Sequence, residues 1–146
     1  MPKKLHVLLA DDDPDDRTFF KVTLQSLSPE AEFSSVKDGE ELMKFLKKNK
    51  SHLPDVLFLD INMPKKNGVE CLDEIKHNDE LKQLPVIMYS TSLHKDVADQ
   101  FYNAGAHYYI QKGDLNDLEK FLKKVIRIFS QEKIVYPARE AFIFKS

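Results

Sequence analysis

Five positions, in four stretches far apart along the chain, carry side chains that could act together on a phosphoryl group: the acids Asp11, Asp12 and Asp60, the hydroxyl of Ser90 and the amine of Lys112. Each follows or closes a short apolar run: Asp11 and Asp12 follow residues 5–10, Asp60 follows 56–59, Ser90 closes 86–89 and Lys112 comes after 108–110. Three carboxylates drawn together repel one another, and the raised pKa values cost stability unless a cation fills the gap. Oxygen-only ligands suit a hard ion. Magnesium takes one or two protein carboxylates and leaves positions for phosphate oxygens. An aspartate beside such an ion is a candidate phosphoryl acceptor, because the metal neutralises both the nucleophile and the incoming group. Ser90 offers a hydrogen bond to a phosphoryl oxygen, and Lys112 offers a point charge to the same group.

These side chains meet only if the runs that precede them end together. The runs at 5–10, 56–59, 86–89 and 108–110 have strand length, and a weaker alternating run lies at 31–36. Helical patterns separate them. The first sets Phe20, Leu24 and Leu27 on one stripe behind Asp13 as N-cap and Pro14 at the first helical position. The second opens at Asp38 with Glu41 three residues on, the spacing of a capping box, and carries Leu42, Phe45 and Leu46. The third starts at Gly68 with Val69, Leu72 and Ile75, and the fourth spans about Lys95 to Ala104 and ends at Gly105, a natural C-cap. The fifth follows Asp114 and stacks Leu118, Leu122, Val125 and Phe129. Five strand–helix pairs predict an α/β fold, a doubly wound parallel sheet with helices on both faces. Ligand sites in such sheets form at the carboxyl ends of strands, near the switch in strand order. The three acids should therefore converge on one crevice.

Composition narrows the class. The chain has 146 residues, 42% of them apolar and 32% charged, with 4 Gly and 7 Pro, which fits one globular domain and excludes disordered or collagen-like classes. Lys plus Arg number 22 against 24 Asp plus Glu, so no bulk positive charge favours nucleic acid or an anionic membrane. The apolar run behind Lys3 and Lys4 is too short for a signal segment and stops at three aspartates. The single cysteine, Cys71, cannot form an internal disulfide, so a cytoplasmic setting is expected and Cys71 reads as a packed residue. None of the five histidines shows paired metal-ligand spacing.

Four segments, 8–14 (LLADDDP), 59–68 (LDINMPKKNG), 85–92 (PVIMYSTS) and 105–112 (GAHYYIQK), resemble the signature segments of response-regulator receiver domains, in the right order and at compatible spacing. The resemblance covers about residues 4–131 and is closest to small stand-alone receivers. It implies a flavodoxin-like sheet of strand order 2-1-3-4-5. It also implies that Asp60 receives a phosphoryl group from the phosphohistidine of a sensor histidine kinase or phosphotransfer protein. Asp12 would ligate magnesium directly, Asp11 mainly through a water, with Asp60 and the main-chain carbonyl of Asn62 as further ligands. Ser90 stands at the switch hydroxyl, Lys112 at the phosphate-binding lysine, and Tyr109 at the aromatic whose rotamer follows the switch. Where the family usually has a cis proline after the lysine, this sequence has Gly113. The lysine is expected to arrive with less rigidity.

The expected function is a single-domain response regulator. A phosphorylation switch changes how the face made by the fourth helix, fifth strand and fifth helix binds a downstream protein. It is not an enzyme in the turnover sense. The alternatives are an interaction module silent to phosphorylation and an aspartyl phosphatase of haloacid-dehalogenase type. The latter wants an acid two positions after its nucleophile, where Asn62 stands. Beyond the receiver, residues 132–146 form a tail whose Ile134, Val135, Tyr136, Phe142, Ile143 and Phe144 are too apolar for a disordered end. It reads equally as an extension docked on its own domain or as an interface, in a homodimer or with a partner.

Overall fold

The computed structural model describes residues 4–130 and 136–144. The expected boundary near Gln131, the tail residues Ile134 and Val135, and Lys3 lie outside the described residues. The chain alternates β1 (His6–Ala10), α1 (Pro14–Leu27), β2 (Glu32–Val36), α2 (Gly39–Lys48), β3 (Val56–Asp60), α3 (Gly68–Lys76), β4 (Val86–Ser90), α4 (Lys95–Asn103), β5 (Tyr108–Gln111) and α5 (Leu115–Phe129). A short 3-10 turn, Arg139–Ala141, and a final strand β6 (Ile143–Phe144) follow.

Every strand pairing is parallel, in the order β2-β1-β3-β4-β5-β6. The reversal of strand order falls at β1, which lies between β2 and β3, so a crevice opens at the carboxyl ends of β1 and β3. The central strands β3 and β4 are buried along their whole length, as apolar runs on both faces require. Period-2 alternation then sorts their side chains. Leu8, Ala10, Leu57, Leu59 and Met88 face α2, α3 and α4, whereas Val7, Leu9, Phe58 and Ile87 face α1 and α5.

Local chemistry sets the helix starts. The Asp13 side chain accepts from the N–H of Asp15, with Pro14 beginning α1. The Asp38 side chain accepts from the N–H of Glu41 at 2.8 Å, but the return half of the expected capping box does not form. Glu41 accepts instead from the N–H of Lys37 at 3.2 Å, one residue earlier. Two other boxes do close, Asn67 with Glu70 at α3 and Asp114 with Asp117 at α5.

The sheet differs from the expected five strands by its sixth. Residues 143 and 144 pair with Tyr109 and Ile110 on the outer edge of β5. Two residues carry no periodicity to read, and long-range contacts produce the strand. Phe142, just before it, is fully buried beside Tyr102. Phe144 lies on Tyr108 with ring centroids 4.1 Å apart, and Tyr136 stacks on His107 at 3.8 Å. Burying a side chain the size of Phe142 contributes about 2 kcal/mol. Cys71 is buried in the core between α3 and the sheet, and burial pushes its thiol up to about 11.

Candidate functional site

Sheet topology delivers the three acids to one point. β1 and β3 are neighbours in register, Ala10 beside Leu59, so the residues that follow them emerge side by side. One carboxylate oxygen from each of Asp11, Asp12 and Asp60 lies within 4.8 Å of the others. Asp11 and Asp60 are buried and Asp12 is exposed at the mouth. Local hydrogen bonds hold the two buried acids: Asp11 Oδ1 accepts from the N–H of Asp13 at 3.0 Å, and Asp60 Oδ1 from the N–H of Asn62 at 3.2 Å. Asn62 itself is exposed in the loop after β3.

Lys112 reaches the same point from β5. Its Nζ donates to Asp11 Oδ2 at 2.8 Å, to Asp16 Oδ2 at 3.1 Å and to Asp60 Oδ2 at 3.2 Å. It also sits 5.2 Å from the centroid of the Tyr89 ring. No cis peptide occurs among the described residues, so the backbone through Gly113 is trans and the head group is oriented by carboxylates and an aromatic face. The N–H of Lys112 bonds the carbonyl of Ser90 at 2.7 Å, which ties the two strand ends together. Ser90 is 1% exposed, and its Oγ accepts from the N–H of Ser92 at 3.4 Å. Tyr109 is equally buried, with its hydroxyl donating to the carbonyl of Ser92 at 2.8 Å.

The electrostatics follow from this crowding. Burial pushes the Asp60 carboxyl up to about 6; Lys112 opposes that rise, and the neighbouring charge of Asp11 adds to it. Burial alone would pull the Lys112 ammonium down. The hydrogen bond to Asp11 and the charges of Asp60 and Asp11 outweigh it, and the net direction is up. The crevice thus holds more negative charge than one lysine balances. An all-oxygen donor set with a surplus of carboxylate suits a hard divalent cation.

Four contributors were not legible as site residues. Asp16 reads as an acid favoured by the α1 dipole, and its only signal is a position one helical turn after Asp12. Arg17 Nη1 donates to the carbonyl of Asp11 at 2.7 Å. Tyr89 reads as a core residue of β4. Gly68 lets α3 start hard against β3, since a Cβ there would stand 2.3 Å from the carbonyl oxygen of Asp60. On the α1 side a cleft of about 290 Å³ opens beside the acids, walled by Asp15, Asp16, Phe19, Tyr89 and Gly113.

A doubly wound parallel sheet that gathers acids, a hydroxyl and a lysine at its strand ends defines a flavodoxin-like receiver class. The family model of the response regulator receiver domain matches residues 7–123, and the chain belongs to this family of two-component signalling proteins. Response regulator Rcp1 of Synechocystis is 33% identical over 137 residues, spanning 90% of this chain and 92% of the relative. The phosphorylated cyanobacterial phytochrome response regulator RcpA superposes with a TM-score of 0.79 at 30% identity, over 87% of this chain and 94% of that one. The Mn(2+)-bound form of Rcp1 gives 0.77 at 31% identity, over 92% and 99%. Among the described residues no helix is long and apolar enough to cross a membrane.

Proposed function

We propose that this chain is a stand-alone, cytoplasmic response regulator whose Asp60 accepts a phosphoryl group from a sensor histidine kinase or phosphotransfer protein. The observation that carries this is the convergence of Asp11, Asp12 and Asp60 within 4.8 Å, with Lys112 hydrogen-bonded into the cluster. The phosphorylated RcpA and Mn(2+)-bound Rcp1 among its structural relatives support the same chemistry. In the transfer an Asp60 carboxylate oxygen forms a bond to phosphorus as the bond from phosphorus to the donor imidazole nitrogen breaks. The imidazole leaves with the electron pair. Asp11, Asp12, Asp60 and the main-chain carbonyl of Asn62 would hold Mg2+. That ion supplies charge neutralisation between the carboxylate and the incoming phosphoryl oxygens.

The chain's own groups do the rest. Lys112 trades carboxylate partners for a phosphoryl oxygen, and the Ser90 hydroxyl donates to another. Drawing Ser90 inward shifts residues 91–92, and Tyr109, bonded to the Ser92 carbonyl, responds. The surface of α4, β5 and α5 then changes its affinity for a downstream protein. No turnover is involved, and the charge balance gives no reason for a nucleic-acid or membrane target.

Intact-mass spectrometry after incubation with acetyl phosphate tests this directly. One added phosphoryl group is expected on the wild-type chain with Mg2+, and none without Mg2+ or on Asp60→Asn. An adduct that persists on Asp60→Asn would sink the assignment.

A further inference from the structure

The C-terminal segment lies against the residue proposed to move. The Tyr109 ring packs edge-on against Phe101 of α4, with centroids 5.2 Å apart. Its N–H, on the opposite side of the strand from β4, donates to the carbonyl of Phe142 at 3.1 Å. Phe142 is fully buried in the same apolar cluster as Tyr109 and meets Tyr102 edge-on at 5.2 Å. The segment is pinned to α4 at two further points: the Tyr102 hydroxyl donates to the Pro137 carbonyl at 2.9 Å, and Arg139 Nε pairs with Asp99 Oδ1 at 2.6 Å. Residues 136–144 therefore close the sheet edge that Tyr109 would have to cross to swing its ring out of the core. A close-packed interior cannot hold an outward Tyr109 and a docked Phe142 in the same space.

We propose that Phe142 is a positioning residue of the switch: docked between α4 and β5, it holds Tyr109 in its buried arrangement and so raises the affinity of the Asp60 site for a phosphoryl group. The inference rests on the reading of Asp60 as phosphoacceptor and Tyr109 as switch aromatic. Coupling of this kind is reciprocal, so a phosphoryl group on Asp60 tightens the docking of residues 136–144 by the same factor. Docking through a two-residue strand, one fully buried ring and a few surface contacts to α4 sits at the low end of local stability, where such a factor is visible. The surface a partner meets is then composite. β6 and the 136–144 segment stand where a bare β5 edge would otherwise be.

Beryllium trifluoride, a phosphoryl mimic that binds reversibly, allows both directions to be read on the full chain with Mg2+. Amide exchange of residues 136–144, followed by mass spectrometry, should slow about fivefold or more when the mimic binds wild type, and stay unchanged in Asp60→Asn. Phe142→Ala should weaken binding of the mimic by a matching factor, and Phe142→Leu, which keeps apolar bulk, should recover part of it. Circular dichroism checks that each variant folds; if Phe142→Ala does not, the wild-type exchange measurement decides alone. Unchanged exchange in a chain that binds the mimic and takes phosphoryl from acetyl phosphate overturns the role of Phe142 and leaves Asp60 standing. A chain that binds no mimic and takes no phosphoryl group overturns both.

Discussion

Two lysines at opposite ends of the sheet have lost most of their water, with opposite results. Lys112, at the carboxyl ends, is surrounded by Asp11, Asp16 and Asp60, and its ammonium is held above the ordinary range. Lys76, at the amino ends, donates to the carbonyls of Lys82 at 3.1 Å and Leu84 at 2.8 Å and to the Tyr136 hydroxyl at 3.3 Å. Burial there pulls it down to about 8. Its neighbour His107 falls to about 4, through burial first and the charge of Lys76 second, and the His107 Nδ1 has no hydrogen-bond partner among the described residues. Carbonyl dipoles accept a proton donor without cancelling its charge; carboxylates do both. The carboxyl end is thus built to handle charge, and the amino end to pack, with a cation and a neutral imidazole seated under Tyr136.

Removing Lys112 should have the largest effect. Lys112→Met strands two buried carboxylates, and the loss at neutral pH is expected to reach about 3 kcal/mol by urea unfolding. Millimolar Mg2+ should return part of it, because a second cation then meets the same charges. A variant as stable as wild type in both conditions would show that the acids do not depend on the lysine.

The next effect is a pH slope. His107 titrates lower in the folded chain than in the unfolded one, so its contribution is fully present above about pH 6.5 and is lost as pH falls through about 4. A shift of that size amounts to about 3 kcal/mol at most. Asp60 acts in the opposite sense. Its folded pKa of about 6 lies above the ordinary carboxylate value, so stability falls as pH rises through that window. His107→Phe should remove the first slope and uncover the second in stability measured between pH 4 and 7. An unchanged profile would place the titration elsewhere.

The smallest effect is expected at Lys76. Lys76→Met gives up hydrogen bonds to carbonyls but also the cost of a buried ammonium, for a net change of about 1 kcal/mol or less. With that positive charge gone, the His107 pKa should rise, which an NMR titration of the imidazole would register. A fall in that pKa would contradict the electrostatic account of this end.

Most of the fold is legible in the sequence because each element carries its own signal. The continuous apolar runs of β3 and β4, the Asp13–Pro14 start of α1 and the stripe of α5 are local patterns, and the structure places the elements within a residue or two of them. The capping partner of Glu41 was less legible, since Lys37 and Asp38 offer neighbouring N–H groups and only the turn geometry selects between them. Among site residues, Asp11, Asp12, Asp60, Ser90 and Lys112 stood out as polar groups ending apolar strands. Asp16, Arg17, Tyr89 and Gly68 did not, because on a helix, in a core strand or at a helix start the same residue types have ordinary structural roles.

The alternation of strands and helices, the parallel sheet that follows from it, and the set of polar groups at the strand ends are therefore written in the sequence alone. Periodicity and caps act over a few residues, and such information survives in one dimension. Tertiary structure alone decided that Lys112 shares its ammonium with Asp16, that His107 is kept neutral beneath Tyr136, and that residues 136–144 add a strand to β5 with Phe142 buried beside α4. Each of these depends on desolvation and contact between segments distant in the chain. Their strength is set by what else occupies the same few ångströms.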